Sequence, residues 1–489
     1  MNDRKTRASP TLPRKARPTL VSVLLPALAP LLLAGCAVGP DYVRPAQALP
    51  ERFREAQQDW VPAQPADQAP RGHWWEAFGD AQLNALETQA QAANEDVRAA
   101  EAHYRQASAS SEQARAGLFP TLGASASLTR SANASGTTSQ HLPPGTVDLA
   151  SLSASWVPDL WGGVRRSLEA ARANEAASAA SLGAAVLSLQ SLLATDYIAL
   201  RAADEQQRLL EEAVQAYGKS LELTLSRYRG GVVARSDVAQ AQAQLEATRA
   251  QAIDVGIQRG QLEHAIAVLL GRLPEEFSLP RLPAFAFAVP AVPAQLPARL
   301  LERRPDVAAA ERQAAAANAQ IGVAQAAFFP SLTLSASGGY RAPSGANLLT
   351  APFRYWSLGP SLAETLFDAG ARSAVKAQAL ASYDAAAANY RKTVLSALQN
   401  VEDQLLALNL LAQEASVQEA AVAAAEDTLR LTTNQYKAGT VSYLNVIIAQ
   451  TTALNDHITA LNIRNRQLAA SVQLYTGLGG DWRPPENSP

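Results

Sequence analysis

The sequence predicts an α+β membrane protein built as an internal duplication, in which each chain supplies four strands to a barrel that it cannot close alone. Three observations predict this: a heptad seam of unusual length, the return of that seam earlier in the chain, and four stretches of strict period-two alternation.

The seam lies between Gly370 and Tyr436. Stepping back by sevens from Tyr436 gives Leu429, Val422, Ala415, Leu408, Val401, Val394, Ala387 and Leu380, with no polar residue among them. A strict seven-residue repeat falls just short of two ideal helical turns, so it implies a left-handed supercoil against a neighbouring helix. At 1.5 Å per residue the segment would reach about 100 Å, far longer than an ordinary globular helix. Stepping back from Tyr228 gives the earlier copy: Leu221, Val214, Gln207, Leu200, Leu193, Val186, Ala179 and Arg172. Phe119-Pro120 likewise answers Phe329-Pro330, and Gly163-Val164-Arg165 answers Gly370-Ala371-Arg372. Tyr228-Arg229-Gly230-Gly231 answers Tyr436-Lys437-Ala438-Gly439.

Residues 1–35 read as a lipoprotein signal peptide. A basic start precedes an apolar run from Leu20 to Leu33, which is broken by prolines and too short to span a bilayer. Leu33-Ala34-Gly35-Cys36 then forms a lipobox, predicting cleavage after Gly35 and a diacylglyceryl group on Cys36, with Ala37 next to it suiting outer-membrane sorting. The alternative is an ordinary secretory peptide with a chance cysteine. Cys36 is the only cysteine, which excludes internal disulfides and cysteine-rich metal sites. Residues 36–79 form a Pro-, Gln- and Ala-rich tether closed by Trp74, Trp75 and Phe78, which are expected to pack on the body.

The first repeat covers 80–271. Asp80 is a candidate N-cap for one helix running to about Ala116, which stops at Phe119-Pro120. Strands follow at about 118–131 and 147–157. In the first, Leu122, Ala124, Ala126 and Leu128 alternate with small polar residues. A helix at about 162–229, a glycine-marked turn and a helix at about 235–271 complete the copy. Residues 272–297 form an irregular bridge rich in proline and phenylalanine. The second repeat, 298–477, carries strands at about 329–341 and 353–365 and helices at about 370–437 and 442–476, and 478–489 is a C-terminal tail.

Strands of about ten residues suit a tilted crossing of a bilayer. Lipid offers no partners for edge amides, so four strands require other chains to complete a barrel, and three chains would supply about twelve. The second face is almost wholly Ser, Thr and Gly, which would leave such a lumen open and wet. A soluble sandwich with one polar face is the alternative that the alternation alone leaves open.

The net charge is −2, with no Lys/Arg block suited to phosphates, so no nucleic-acid partner is expected. His73, His103, His141, His264 and His457 are scattered, and no HExxH, GxSxG or phosphate-binding glycine loop is present. Neither an enzyme nor a cofactor beyond the lipid on Cys36 is expected.

The stretch Leu300-Leu301-Glu302-Arg303-Arg304-Pro305-Asp306-Val307, with Ala310-Glu311, Ile321-Gly322-Val323-Ala324 and Phe328-Phe329-Pro330-Ser331-Leu332, strongly resembles the outer-membrane factor family, the TolC and OprM type of tripartite RND multidrug efflux systems. Gly39-Pro40-Asp41-Tyr42, Trp74-Trp75, Phe78 and Tyr436-Lys437-Ala438-Gly439-Thr440-Val441 extend the resemblance over nearly the whole mature chain. It implies a homotrimer with a twelve-stranded outer-membrane β-barrel, continued by a periplasmic α-helical coiled-coil barrel. The chain would be a passive exit duct for drugs or other small toxic compounds, served by a periplasmic adaptor (membrane fusion protein) and an inner-membrane RND-type pump. The implied adaptor contacts are the hairpin tips, at Gly230, Gly231, Arg235, Asp237, Gly439 and Thr440. The implied periplasmic aperture falls at Leu444 and Ile448, where an acidic residue common in the family is absent, so an apolar constriction is expected. Arg303 and Arg304 are expected to brace the bridge, and Arg235 and Asp237 either pair across helices or stay solvated. A duct for type I protein secretion is an alternative, and an adaptor lipoprotein is a more distant one, disfavoured by two matched copies with four barrel-type strands.

Overall fold

The computed structural model describes residues 37–46, 53–55, 73–131, 145–282, 284–290, 304–343 and 348–480. Cys36, the signal peptide, Arg303 and most of the expected tail lie outside the described residues. The chain divides into two compact units.

The first unit comprises the start of the chain up to Tyr42, Glu112–Ala170 and Ala317–Ser382. Its centre is a four-stranded antiparallel sheet in the order β1 (Thr121–Ser131), β2 (Gly145–Trp156), β3 (Ser331–Pro343) and β4 (Arg354–Ala363). Each residue before β1 and β3 is a proline without an N–H, so the ladder starts just after it. Register is set by alternation: Ala124, Leu152, Gly338 and Trp356 stand in one cross-strand row, and Gly123, Ser153 and Ser337 in the next. One face is therefore mostly apolar, and the other is mostly Ser, Thr and Gly, with Val147, Leu149, Arg341 and Tyr355 toward the loop end. Leu122, Leu128, Trp356, Leu358 and Leu362 are 69–78% exposed in the single chain, an apolar surface unsuited to water. β1 and β4 are open edges.

The N-terminal residues are clamped onto this unit. A Cβ on Gly39 would stand 2.5 Å from the Cα of Gly322, and one on Gly162 would stand 2.7 Å from Ala37, so both close approaches require glycine. The buried Arg166 donates to the carbonyls of Val38 (3.3 Å) and Gly39 (3.2 Å) and to Asp41 (2.7 Å). Asn318 donates to Pro40 O (3.0 Å), and Val38 N donates to Trp161 O (3.1 Å). Trp161 itself stacks on Phe329 at 4.8 Å and donates its indole N–H to Pro330 O.

The second unit comprises Val43–Ser111, Ala171–Ala316 and Tyr383–Pro489. Its helices belong to α1 (Ala81–Ala93), α2 (Glu95–Ala116), α3 (Gly163–Arg229), α4 (Arg235–Leu269), α5 (Pro305–Ala326), α6 (Ala371–Ala438) and α7 (Tyr443–Gly477). α3 and α6 run for 67 and 68 residues, and α4 and α7 for 35 each, the lengths that the duplicated seams demand. Val394, Val401 and Leu408 of the α6 seam are buried in one cluster, whereas Leu380 at its start is 43% exposed. The larger core gathers Trp74, Trp75 and Phe78, from a short 3₁₀ turn, with Leu193, Tyr197 and Leu200 of α3 and Ile266 of α4.

The expected single helix from Asp80 to Ala116 is corrected: it breaks at Asn94. Asp80 does cap α1, accepting from Leu83 N at 2.8 Å. Asn94 then leaves the helical path and caps α2, accepting from Val97 N at 3.0 Å while its amide donates to Leu269 O at 3.0 Å. Two acids, Glu95 and Asp96, fill the first turn of the new helix and complement its dipole.

The bridge is held by guanidinium groups. Arg201 donates to Pro280 O (2.7 Å), Arg259 to Leu279 O (2.6 Å) and Arg464 to Phe287 O (2.9 Å). Asp204, 2% exposed, is shared between Arg201 and Arg259. Each buried charge is thus paired, as a low-dielectric interior requires. Arg304 donates to Gly477 O at 3.0 Å and pairs with Asp306 through both carboxylate oxygens, tying the start of α5 to the end of α7.

Candidate functional site

The candidate site is the pair of hairpin tips in the second unit. α3 ends when Gly231, at φ 74°, adopts the left-handed conformation. Val232 N then donates to Arg227 O and Gly231 N to Tyr228 O, both at 2.9 Å. α6 ends the same way at Gly439, with φ 79°: Thr440 N donates to Gln435 O (3.0 Å) and Gly439 N to Tyr436 O (2.9 Å). Both are Schellman closures, in which a glycine at C′ lets the last carbonyls find partners. Gly230 does not take part through a left-handed conformation, so the essential glycine of the first tip is Gly231 alone.

The two tips are joined by one face of α3. Tyr217, Ser220, Thr224 and Arg227 recur at spacings of three and four, which places them in line. Tyr217 OH donates to Gln450 O (3.2 Å) and Gln450 Nε2 to Ser220 Oγ (3.1 Å). Thr224 Oγ1 lies 3.3 Å from Tyr436 OH. Arg227 donates to Tyr436 O at 2.6 Å and stands 4.6 Å over its ring, so its charge meets both the negative end of α6 and a π-face. Tyr436, Tyr443, Val446 and Ala241 form the apolar cluster beneath. The repeated tyrosines diverge here: Tyr436 is buried and Tyr228 is 42% exposed.

Leu444 and Ile448 lie one turn apart on α7, on the side away from buried Tyr443 and Val446, and are 49% and 57% exposed. Ile448 lines a cavity of about 330 Å³ with Thr428, Thr432, Asn445 and Thr452; Leu444 does not. Arg235 and Asp237 open α4 without an ion pair between them, and Asp237 N donates to Ala234 O. Sequence reasoning located the turns and missed the polar line on α3. Its signal was the Tyr217-Ser220-Thr224-Arg227 spacing beside the apolar seam.

A second cavity, of about 620 Å³, is lined by Glu205, Arg208, Glu212, Glu426, His457 and Arg464 among others. His457 Nε2 lies 2.9 Å from Glu426, and Arg208 pairs with Glu205 at 2.6 Å, so these charges are mutually engaged. Among the described residues no group of His, Cys, Asp and Glu is arranged to hold a metal ion.

The model of the outer membrane efflux protein family matches residues 86–272 and 296–480, one match for each repeat. The chain belongs to that family. Among its relatives, the pyoverdine export outer membrane protein OpmQ of Pseudomonas aeruginosa is 33% identical, over 93% of this chain and 95% of OpmQ. The cation efflux system protein CusC of Escherichia coli O6:H1 is 30% identical, over 94% of this chain and 99% of CusC. The solved outer-membrane channel OprN superposes with a TM-score of 0.83 at 30% identity, covering 91% of this chain and 99% of OprN. The open MtrE channel of Neisseria gonorrhoeae superposes at 0.80 with 29% identity, covering 91% and 98%. This efflux protein is thus an outer-membrane channel subunit of Gram-negative type, with the fold of the trimeric barrel channels.

Proposed function

We propose that three copies of this chain form the passive exit duct of a tripartite RND-type efflux pump. A periplasmic adaptor docks at the tips around Gly230, Gly231, Arg235, Asp237, Gly439 and Thr440, and an inner-membrane pump supplies the energy. The observation that carries this reading is the four-stranded sheet with one apolar face, one Ser/Thr/Gly face and open edges at β1 and β4, which needs copies of itself to satisfy its amides in lipid. The chain performs no catalysis and needs no cofactor. A lumen face made mostly of small hydroxyl residues selects little by chemistry, so the cargo is small toxic compounds chosen by the pump. The cargoes named for its relatives, pyoverdine and cations, differ widely, which supports a permissive conduit.

Cys36 carries the lipid in this reading, and intact-mass analysis of the mature protein is expected to find a triacylated N-terminus. An unmodified cysteine would remove the anchor. The pump role is tested in cells that lack their own channel and express a matching adaptor and pump. The chain is expected to restore drug resistance only when both partners are present. Resistance restored without the adaptor, or not restored with both, would overturn the assignment.

Leu444 and Ile448 form the apolar closure, supported by their exposure on the first turns of α7. Replacing both with serine is expected to raise single-channel conductance in planar bilayers, because wetting a narrow apolar neck removes its barrier. Unchanged conductance would place the closure elsewhere.

A further inference from the structure

The lumen face of the sheet carries a single fixed charge, Arg341 on β3. Tyr340 stands in the apolar-face row of Ala126, Ala150 and Arg354, so its neighbour Arg341 faces the other side, in the row of Ser127 and Leu149. The remaining Asp, Glu, Lys and Arg residues of the four strands are Arg130, Asp148 and Arg354, and all three fall in apolar-face rows. Arg341 is exposed and makes no hydrogen bond or ion pair with any described residue. It braces nothing, and its charge is left for whatever occupies the lumen. The connections between paired strands do not offset it by sequence. Residues 132–144 and 344–353 contain no Asp, Glu, Lys or Arg, and their one histidine, His141, is neutral at pH 8.

β3 begins just after Phe329-Pro330, beyond the end of α5, and runs to Pro343. Arg341 therefore stands near the end of the strand remote from the helix, at the outer mouth of the barrel. Twelve strands about 4.8 Å apart and tilted by about 40° close into a ring of roughly 12 Å radius. A guanidinium reaching inward from that wall stands within about 10 Å of the axis, the Debye length at 0.1 M salt, but farther than the roughly 3 Å that holds at 1 M. Three such charges at that distance in water favour a monovalent anion over a monovalent cation on the axis by about fivefold. Rings of like charge are a general device by which pores select by sign.

We propose that Arg341 is the charge-selecting residue of the outer mouth, where it favours small anionic solutes over cationic ones. The inference rests on the trimeric barrel and needs neither adaptor nor pump.

The test uses a thiol placed in the lumen of the full-length trimer. Cys36 is the only native cysteine. Ser153→Cys adds one on the exposed lumen face, two rows inward from Arg341, and the chain without it serves as the blank for Cys36. The trimer in detergent is labelled at pH 8 with an anionic and a cationic thiosulfonate reagent, and the ratio of the two rates is compared among variants. Arg341→Ser is expected to lower the anion-to-cation ratio about fivefold at 0.1 M salt and to leave it unchanged at 1 M, where the field is screened. Arg341→Lys keeps the charge and should keep the ratio, whereas Arg341→Glu should lower it further than Arg341→Ser does. Arg130→Ser removes the same charge from the lipid-facing side and should leave the ratio nearly unchanged. A ratio unmoved by Arg341→Ser, an equal fall in Arg130→Ser, or as large a loss in Arg341→Lys would each overturn the assignment. Should Arg341→Ser fail to assemble, the salt series on the Ser153→Cys trimer still decides, because a ratio that does not fall between 0.1 and 1 M removes the field. A monomeric protein, or a thiol inert to both reagents, would instead overturn the barrel on which the inference rests.

Discussion

Glu87 on α1 is fully buried, and neither of its carboxylate oxygens has a hydrogen-bond partner among the described residues. Burial pushes its carboxyl up to about 9, so the folded protein holds it neutral. A carboxyl whose folded pKa lies above its unfolded value favours the fold below about pH 4.5, and that contribution is lost as pH rises toward 9. The penalty near neutral pH is roughly 3 kcal/mol. Glu87→Gln is therefore expected to raise the thermal midpoint at pH 8 and leave it nearly unchanged at pH 4. A constant difference across that range, measured by differential scanning calorimetry, would mean that the carboxyl is charged in the fold. Arg227 acts through geometry instead. Arg227→Ala removes its hydrogen bond and ring contact with Tyr436, together worth about 1–3 kcal/mol, so amide exchange at Gly439 and Thr440 should accelerate while that of the α6 mid-section stays slow.

At the scale of elements, the turns separate two adjacent glycines. A side chain at Gly231 would be forced into the left-handed region, whereas one at Gly230 would meet its nearest neighbours at 3.6 Å, an ordinary contact. Gly231→Ala is expected to cost about 1 kcal/mol at the tip, and Gly230→Ala to be neutral or slightly stabilising. Hydrogen exchange at Val232, whose amide donates to Arg227 O, reads this difference directly. Equal protection in the two variants would show that the closure does not depend on the left-handed residue. The same closure recurs at the far ends of the hairpins, where Arg272 N donates to Ala267 O (2.9 Å) and Gly480 N to Tyr475 O (3.2 Å), so the duplication extends to the capping chemistry.

At the scale of the whole molecule, light scattering of detergent-solubilised protein, corrected for bound detergent, is expected to give a trimer. A monomer would leave β1 and β4 unpaired in lipid. The long helices and four strands were legible in the sequence because periods of 3.5 and 2 are properties of spacing alone and survive without knowledge of neighbours. The break at Asn94 was not, because an asparagine inside an apolar-periodic run is tolerated in a helix until a remote carbonyl, here Leu269 O, rewards leaving it. The line from Tyr217 to Arg227 was hidden for a related reason. Its partners, Tyr436 and Gln450, belong to the other copy of the repeat, and only the fold brings them together.

The clamp of Gly39 against Gly322 bears on how the assembly is put together. Gly39 lies three positions after Cys36, a reach of about 10 Å at most. An acyl chain on Cys36 would therefore hold each unassembled sheet within a molecular diameter of the membrane surface. Three chains searching for one another would do so by lateral diffusion in two dimensions, at an effective concentration far above that in the periplasmic volume. Lengthening the segment between the cysteine and the clamp should then slow the approach to the trimer and leave its final stability unchanged.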